Sequence, residues 1–162
     1  MSARTPLQRN TQIQRSGPEA ARTAAVALLA RRDYCSVELR EKLHAQSFDE
    51  VAAEEVIAEL RREGILNDER YARNYVAYHA GRGQGPLRIA EGLGKCGLSG
   101  EIVATALADG LDWRALALKV RSAKFGTELP SSRGDMARQV RFLQYRGFSS
   151  DDVRAATGVD FD

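Results

Sequence analysis

Residues 39–57 read LREKLHAQSFDEVAAEEVI, residues 89–107 read IAEGLGKCGLSGEIVATAL, and residues 139–157 read QVRFLQYRGFSSDDVRAAT. The three stretches start fifty residues apart and keep one register. Leu39, Leu43 and Phe48 are answered by Ile89, Leu93 and Leu98, then by Leu143 and Phe148, with Gln139 standing at the first position beside apolar Val140. Asp49, Ser99 and Ser149 follow the large apolar residue, and each can cap the helix that comes next. Val56, Ala106 and Ala156 hold the next shared position, followed by Ile57, Leu107 and the polar exception Thr157. Agreement in cap, core and spacing indicates a tandem helical array, an architecture that works by binding along an extended partner.

The same punctuation extends outward from the repeat. Pro18 suits the first turn of a helix, where its missing N–H costs nothing. Ala21, Ala25, Leu28 and Leu29 then form an apolar stripe. Ser36 is the expected cap of the next helix, Asp49 of the third, and Gly64 ends the first three-helix unit. A second unit is expected to start with Asp68 as cap, break at Gly81, Gly83 and Gly85, resume at Pro86 and close at Leu107. A third starts at Asp112, breaks at Gly126, crosses a linker from Thr127 to Gly134, and ends in helices over about 135–146 and 150–157. Ser149 and Asp152 have capping-box spacing. No segment has the alternation of a strand. The expected organisation is a flexible arm over 1–17 and three-helix repeats over 18–66, 67–110 and 111–162. The fold class is all-α, an elongated array of three tandem three-helix repeats, and a monomer is expected.

Composition narrows the function. The chain has 162 residues and a net charge of +2, but the charge is segregated. Residues 33–69 hold eleven acidic against four basic side chains, whereas residues 70–146 hold thirteen basic against six acidic. Such a split orients a protein in an electrostatic field. No run approaches the ~18 apolar residues of a membrane span, and no secretory leader is recognisable. Cys35 and Cys96 are too few and too far apart for a disulfide scaffold, so a reducing cytoplasm is expected.

Catalytic chemistry lacks its parts. His44 and His79 stand apart from any second metal ligand, so no metal site is expected. Cys35 has no neighbouring His to activate it. Gly81, Gly83 and Gly85 lack the preceding strand and the Gly-Lys-Ser/Thr ending of a phosphate loop. Neither an enzyme nor a cofactor is expected. The basic residues, in contrast, fall at helical spacing. Arg138, Arg141 and Tyr145 share a helix face, Arg88 and Lys95 are two turns apart, Arg82 precedes them, and Arg121 pairs with Lys124. With Arg146 these eight cations are the candidate binding residues for a phosphate backbone or an acidic protein groove. Tyr71, Tyr75 and Tyr78 can stack on bases, but their spacing fits packing between helices better.

Three segments resemble the RecX family of bacterial modulators of the RecA recombinase. They are Ala27-Leu28-Leu29-Ala30-Arg31-Arg32-Asp33-Tyr34 with Glu38 to Leu43, Leu66-Asn67-Asp68-Glu69-Arg70-Tyr71-Ala72 with Gly85 to Ile89, and Ala137 to Phe148. The resemblance covers roughly Ala20 to Thr157. It implies a non-enzymatic regulator, active in recombinational repair and the SOS response, that lies in the groove of the RecA–DNA filament and inhibits ATPase, strand exchange and coprotease activities. Three departures stand out. Ser47 occupies the place of Gly97 and Gly147, which predicts a positive φ at a serine. Gly92 and Gly94 fall inside a helix, each costing about 1 kcal/mol against Ala. The competing class is a stand-alone helix-turn-helix-like DNA-binding protein, whose basic half would meet phosphates directly.

Overall fold

The computed structural model describes residues 17–159, so the expected arm lies outside the described residues except for Gly17. Among the described residues there are nine α-helices and no strand. They are α1 (Pro18–Arg31), α2 (Ser36–Ala45), α3 (Glu50–Arg62), α4 (Asp68–Gly81), α5 (Pro86–Lys95), α6 (Gly100–Leu107), α7 (Trp113–Phe125), α8 (Arg133–Arg146) and α9 (Ser150–Thr157). The chain forms two compact units, one ending at Leu66 and holding α1 to α3, the other starting at Asn67 and holding α4 to α9.

The repeat positions coincide with the core. Leu39, Ile89 and Gln139 are buried, as are Leu43, Leu93 and Leu143, then Phe48, Leu98 and Phe148, and finally Val56, Ala106 and Ala156. Fully burying each large aliphatic or aromatic side chain contributes roughly 1.5–3 kcal/mol. In the first unit Ala21 and Ala25 are fully enclosed on α1, where small side chains let α3 approach closely. The polar exception Thr157 is also buried, and its hydroxyl is satisfied by donating to the Val153 carbonyl at 2.7 Å.

One turn is built three times. After α2 the amides of Ser47 and Phe48 donate to the carbonyls of His44 and Leu43, at 2.9 and 3.2 Å. Gly97 and Leu98 repeat this on Gly94 and Leu93, and Gly147 and Phe148 on Gln144 and Leu143. This is the Schellman pattern, which needs a left-handed residue after the helix. The three φ values are 68°, 79° and 92°, so Ser47 does adopt the conformation that glycine holds in the other copies. Asp49, Ser99 and Ser149 then cap the next helix, and Ser149 with Asp152 closes a capping box.

Three helix starts differ from expectation. The cap of α2 is Cys35, whose Sγ accepts from the Glu38 amide at 3.5 Å, while Ser36 is the buried first helical residue. Asn67, not Asp68, caps α4, its Oδ1 accepting from the Arg70 amide at 2.8 Å. Ser132 caps α8, which therefore starts two residues before Asp135. Gly92 also has a packing reason. A Cβ there would fall 2.3 Å from the Tyr75 hydroxyl, so Gly92 admits the ring of α4, whereas Gly94 faces open space.

Within the second unit two turns lock together. The Gly85 amide donates to the Arg146 carbonyl at 2.8 Å, and the Leu87 amide to the Gly147 carbonyl at 2.9 Å. A Cβ on Gly85 would sit 2.4 Å from backbone atoms of Gly147 and Phe148, and one on Gly147 would sit 2.3 Å from the Arg88 Cβ. The glycines thus place the start of α5 directly on the end of α8.

Candidate functional site

This junction gathers basic side chains from α5, α7 and α8 and from Arg82, the residue after α4. Arg82, Gly83, Val120, Lys124, Phe142 and Arg146 line one cavity of about 280 Å3 beside it. The Lys124 ammonium lies 4.5 Å from the Phe142 ring centroid, and the Arg146 guanidinium 5.4 Å from the same ring. Arg146 Nη1 also donates to the Arg82 carbonyl at 3.3 Å. Arg138 lies 5.4 Å from the Phe125 ring, which meets Phe142 edge-on at a centroid distance of 5.4 Å. Among the described residues no carboxylate lines this cavity. Its cations rest on ring faces and a peptide carbonyl and keep their charge free for an external anion.

A second, more polar cavity of about 530 Å3 opens on the other side of the junction, where Arg88, Lys95, Glu91, His79, Gln84 and Tyr145 contribute to its wall. Arg88 lies 5.2 Å from the Tyr145 ring and donates to the Tyr145 carbonyl at 3.1 Å. Lys95 pairs with Glu91 at 2.7 Å, and its ammonium holds the Glu91 carboxyl below the usual carboxylate range. Burial pushes His79 below the ordinary imidazole value; hydrogen bonding with Gln84 opposes the shift and the Arg82 charge adds to it. Burial likewise raises the Tyr75 phenol.

The eight candidate cations therefore separate into four kinds of place. Arg82, Lys124, Arg138 and Arg146 gather around the first cavity and its aromatic ledge, although Arg138 also pairs with Asp135 at 2.6 Å. Arg88 and Lys95 line the second cavity, and Arg141 is exposed on α8. Arg121 is not a surface residue. Its side chain has 0% exposure and is spent inside the unit, Nη1 donating to the Glu128 carbonyl and Gln139 Oε1 and Nη2 to the Thr127 carbonyl. Gln139 in turn donates to Asp135 at 3.0 Å. The odd glutamine of the repeat and the buried arginine answer each other, closing the loop between α7 and α8 over a polar core. A guanidinium enclosed in this way is unavailable to a partner.

Phe125 and Phe142 were not foreseen as part of the site, because apolar residues on helices default to the core. The signal was present in the spacing Arg138, Phe142, Arg146, which puts a ring between two cations along one stripe. Of the tyrosines, Tyr71 and Tyr75 are half-buried with rings 6.2 Å apart, as packing predicts. Tyr78 is 59% exposed and its hydroxyl accepts from Arg82 Nη1 at 3.1 Å. Among the described residues no cluster of His, Cys, Asp and Glu fits a metal, and no helix is long and apolar enough to cross a membrane.

The sequence matches the first three-helix domain of RecX over residues 21–60, the second over 67–107 and the third over 112–157. The chain belongs to the RecX family. It is 42% identical to the regulatory protein RecX of Halorhodospira halophila over 142 residues, covering 87% of this chain and 88% of that protein. It is 39% identical to that of Ectopseudomonas mendocina over 88% of this chain and 97% of the other. The crystal structure of RecX from Lactobacillus salivarius superposes with a TM-score of 0.77 at 23% identity, covering 86% of this chain and 93% of that one, and shows the shared fold. RecX relatives carry the name of regulatory proteins, which is the role that this family membership supports.

Proposed function

We propose that the protein is a non-enzymatic cytoplasmic regulator that binds, as a monomer, to the RecA–DNA filament and inhibits RecA's ATPase, strand exchange and coprotease activities, in recombinational repair and the SOS response. The observation that carries this reading is the basic face of the second unit, where Arg82, Lys124 and Arg146 line a cavity with no carboxylate among the described residues. A RecA–DNA filament is a polyanion, and uncompensated cations on a rigid face bind one through counterion release and long-range attraction. A stand-alone helix-turn-helix reading is less well supported, because Gln139 of α8 is buried in the Arg121 network and is not free to read bases.

The test is RecA's DNA-dependent ATP hydrolysis, titrated with the purified protein. Suppression at sub-stoichiometric to equimolar protein, with no hydrolysis by the protein itself, is the expected outcome. Unchanged RecA turnover at saturating protein would remove the reading, and steeply salt-dependent binding to bare duplex without any effect on RecA would favour the helix-turn-helix alternative.

A further inference from the structure

The last helix of each repeat copy is equivalent in the core but not on its exposed side. On α3 that side carries Val51, Glu54 and Glu55; the matching residues are Glu101, Ala104 and Thr105 on α6, and Asp151, Arg154 and Ala155 on α9. Residues three and four apart share a helix face, and those of α3 and α6 are all exposed. The first turn of a helix favours a carboxylate, which the second and third copies supply at 101 and 151. The first copy has Val51 there, 68% exposed, with Glu50 beside it and Glu54 and Glu55 one turn on. Arg40 holds Glu54, whereas Glu50 and Glu55 have no cationic partner among the described residues. The fold of α3 does not call for this pattern, since Asp49 caps the helix and Ala52, Ala53, Val56, Ile57 and Leu60 fill its buried side. An apolar knob ringed by carboxylates is left facing solvent.

A polyanion repels such a face. What fits it is an apolar hole with cations at its rim, and the chain carries one in its second unit. Val120, Ala123 and Phe142 give the cavity of about 280 Å3 its apolar wall, Arg82, Lys124 and Arg146 give it charge, and a branched aliphatic side chain can enter it. We infer that α3 of one copy docks in this cavity of a second copy, Val51 entering the apolar wall and Glu50 and Glu55 meeting the cations. The contact joins unlike faces, so it is heterologous and continues head to tail, as a chain or a closed ring. An engaged copy has its basic cavity covered. Self-docking therefore regulates the site proposed above, and its consequence rests on that reading: the basic face is withheld until a stronger polyanion displaces the neighbour's α3, and the released monomer binds.

The experiment follows the weight-average mass of the full-length protein by sedimentation equilibrium from about 1 to about 100 μM, the range of weak contacts. At about 50 mM salt the mass is expected to climb above the monomer with concentration, and at about 500 mM to return to it, because exposed charges are screened there. One variant combines Glu50→Ala, Val51→Ala and Glu55→Ala and spoils the knob; the other combines Arg82→Ala and Lys124→Ala and spoils the hole. All five side chains are exposed, so the fold survives their replacement. Each variant alone is expected to associate at least about tenfold more weakly than the parent. Mixed in equal amounts, the two hold one intact knob and one intact hole between them, and the mass is expected to rise to the pair and stop. A parent that stays monomeric at low salt, a mixture that does not pair, or parental association by the knob variant alone overturns the inference. RecA ATPase suppression separates it from the reading on which it rests. The knob variant, with its basic cavity intact, is expected to suppress at least as well as the parent; loss of suppression there assigns α3 to RecA and overturns the inference. Suppression by a parent that never associates leaves the regulator reading standing alone. Association without suppression upholds the docking and removes that reading.

Discussion

In the first unit Arg22 reaches Glu59 at 3.3 Å and Glu63 at 2.9 Å, Arg32 reaches Glu38 at 2.5 Å, and Arg40 meets Glu54. Each of these pairs sets an arginine against a carboxylate: hydrogen bonding to Glu63 raises the Arg22 guanidinium, and Arg22 and Arg40 hold Glu63 and Glu54 below the usual carboxylate range. In the second unit Lys124 and Arg146 lie on a phenylalanine, Arg88 on a tyrosine, and two of these guanidiniums bond to peptide carbonyls. The same residue types therefore do opposite things. Paired arginines in the first unit tie helices together and cancel charge, whereas Lys124 and Arg146 in the second rest on a ring with no carboxylate pair among the described residues. What marks the candidate site is uncompensated charge held in place, which a tally of basic residues along the chain cannot register.

The comparison is sharpest at the repeated turn, where Ser47 of the first unit and Gly147 of the second share a left-handed backbone. Gly147→Ser is expected to have the largest effect. It combines the left-handed cost of a side chain with a Cβ forced against the Arg88 backbone, together on the order of 3 kcal/mol. Trp113, the single tryptophan, lies at the start of α7 and reports urea unfolding of the second unit alone. An unshifted midpoint would mean that the turn-on-turn contact is dispensable. Next in size is Arg121→Met, which leaves the Thr127 and Glu128 carbonyls and Gln139 without their donor and is expected to cost about 2 kcal/mol by the same measurement.

The reciprocal change in the first unit is small. Ser47→Gly relieves the left-handed strain but frees the unfolded chain, so the net gain is about 0.5 kcal/mol, read from hydrogen exchange of the amides of α2 and α3. A clear loss would show that the serine side chain has a role of its own. The smallest effect separates the units by pH. Arg40 and Arg22 depress Glu54 and Glu63, so their contribution is present above the ordinary carboxylate value, about 4.3, and is lost as pH falls through the lowered folded values. His79 is depressed as well, chiefly by burial, with Tyr75, Tyr78, Gln84 and Arg82 around it. For this base the unfolded chain takes up its proton first. Stability of the second unit is then full above about pH 6.5 and declines as pH falls through that value, before the first unit responds. Midpoints compared between pH 7.5 and about pH 5.5 test the order, and simultaneous loss in both units would refute it.

The fold was legible because the repeat fixes several independent features at once. A fifty-residue period in Leu43, Leu93 and Leu143 places the core, Asp49, Ser99 and Ser149 place the caps, and Gly97 and Gly147 predict the strained serine between them. Capping was missed where two neighbouring polar residues can both accept. At 35–36 a thiol took the role expected of a hydroxyl, and at 67–68 the asparagine took that expected of the aspartate. Those choices depend on where the chain enters the helix, which one residue of register decides. The candidate site was legible as a basic region but not as a geometry. Arg121 has the same composition as its neighbours, and only the loop between α7 and α8 folding over it, with Gln139 alongside, turns it inward. Phe142 looks like a core residue until two cations are seen resting on it.

The proposed regulation acts through the uncompensated cations of the second unit. The direct measurement is RecA's DNA-dependent ATPase titrated with two triple variants at low salt. Arg82→Glu, Lys124→Glu and Arg141→Glu together replace attraction by repulsion on exposed positions, so the concentration needed for suppression should rise by well over tenfold. Arg22→Ala, Arg32→Ala and Arg40→Ala together remove cations already neutralised by carboxylates, each contributing under about 1 kcal/mol, and should suppress ATPase like the parent. Loss of suppression in the first-unit variant with retention in the second-unit variant would contradict the claim.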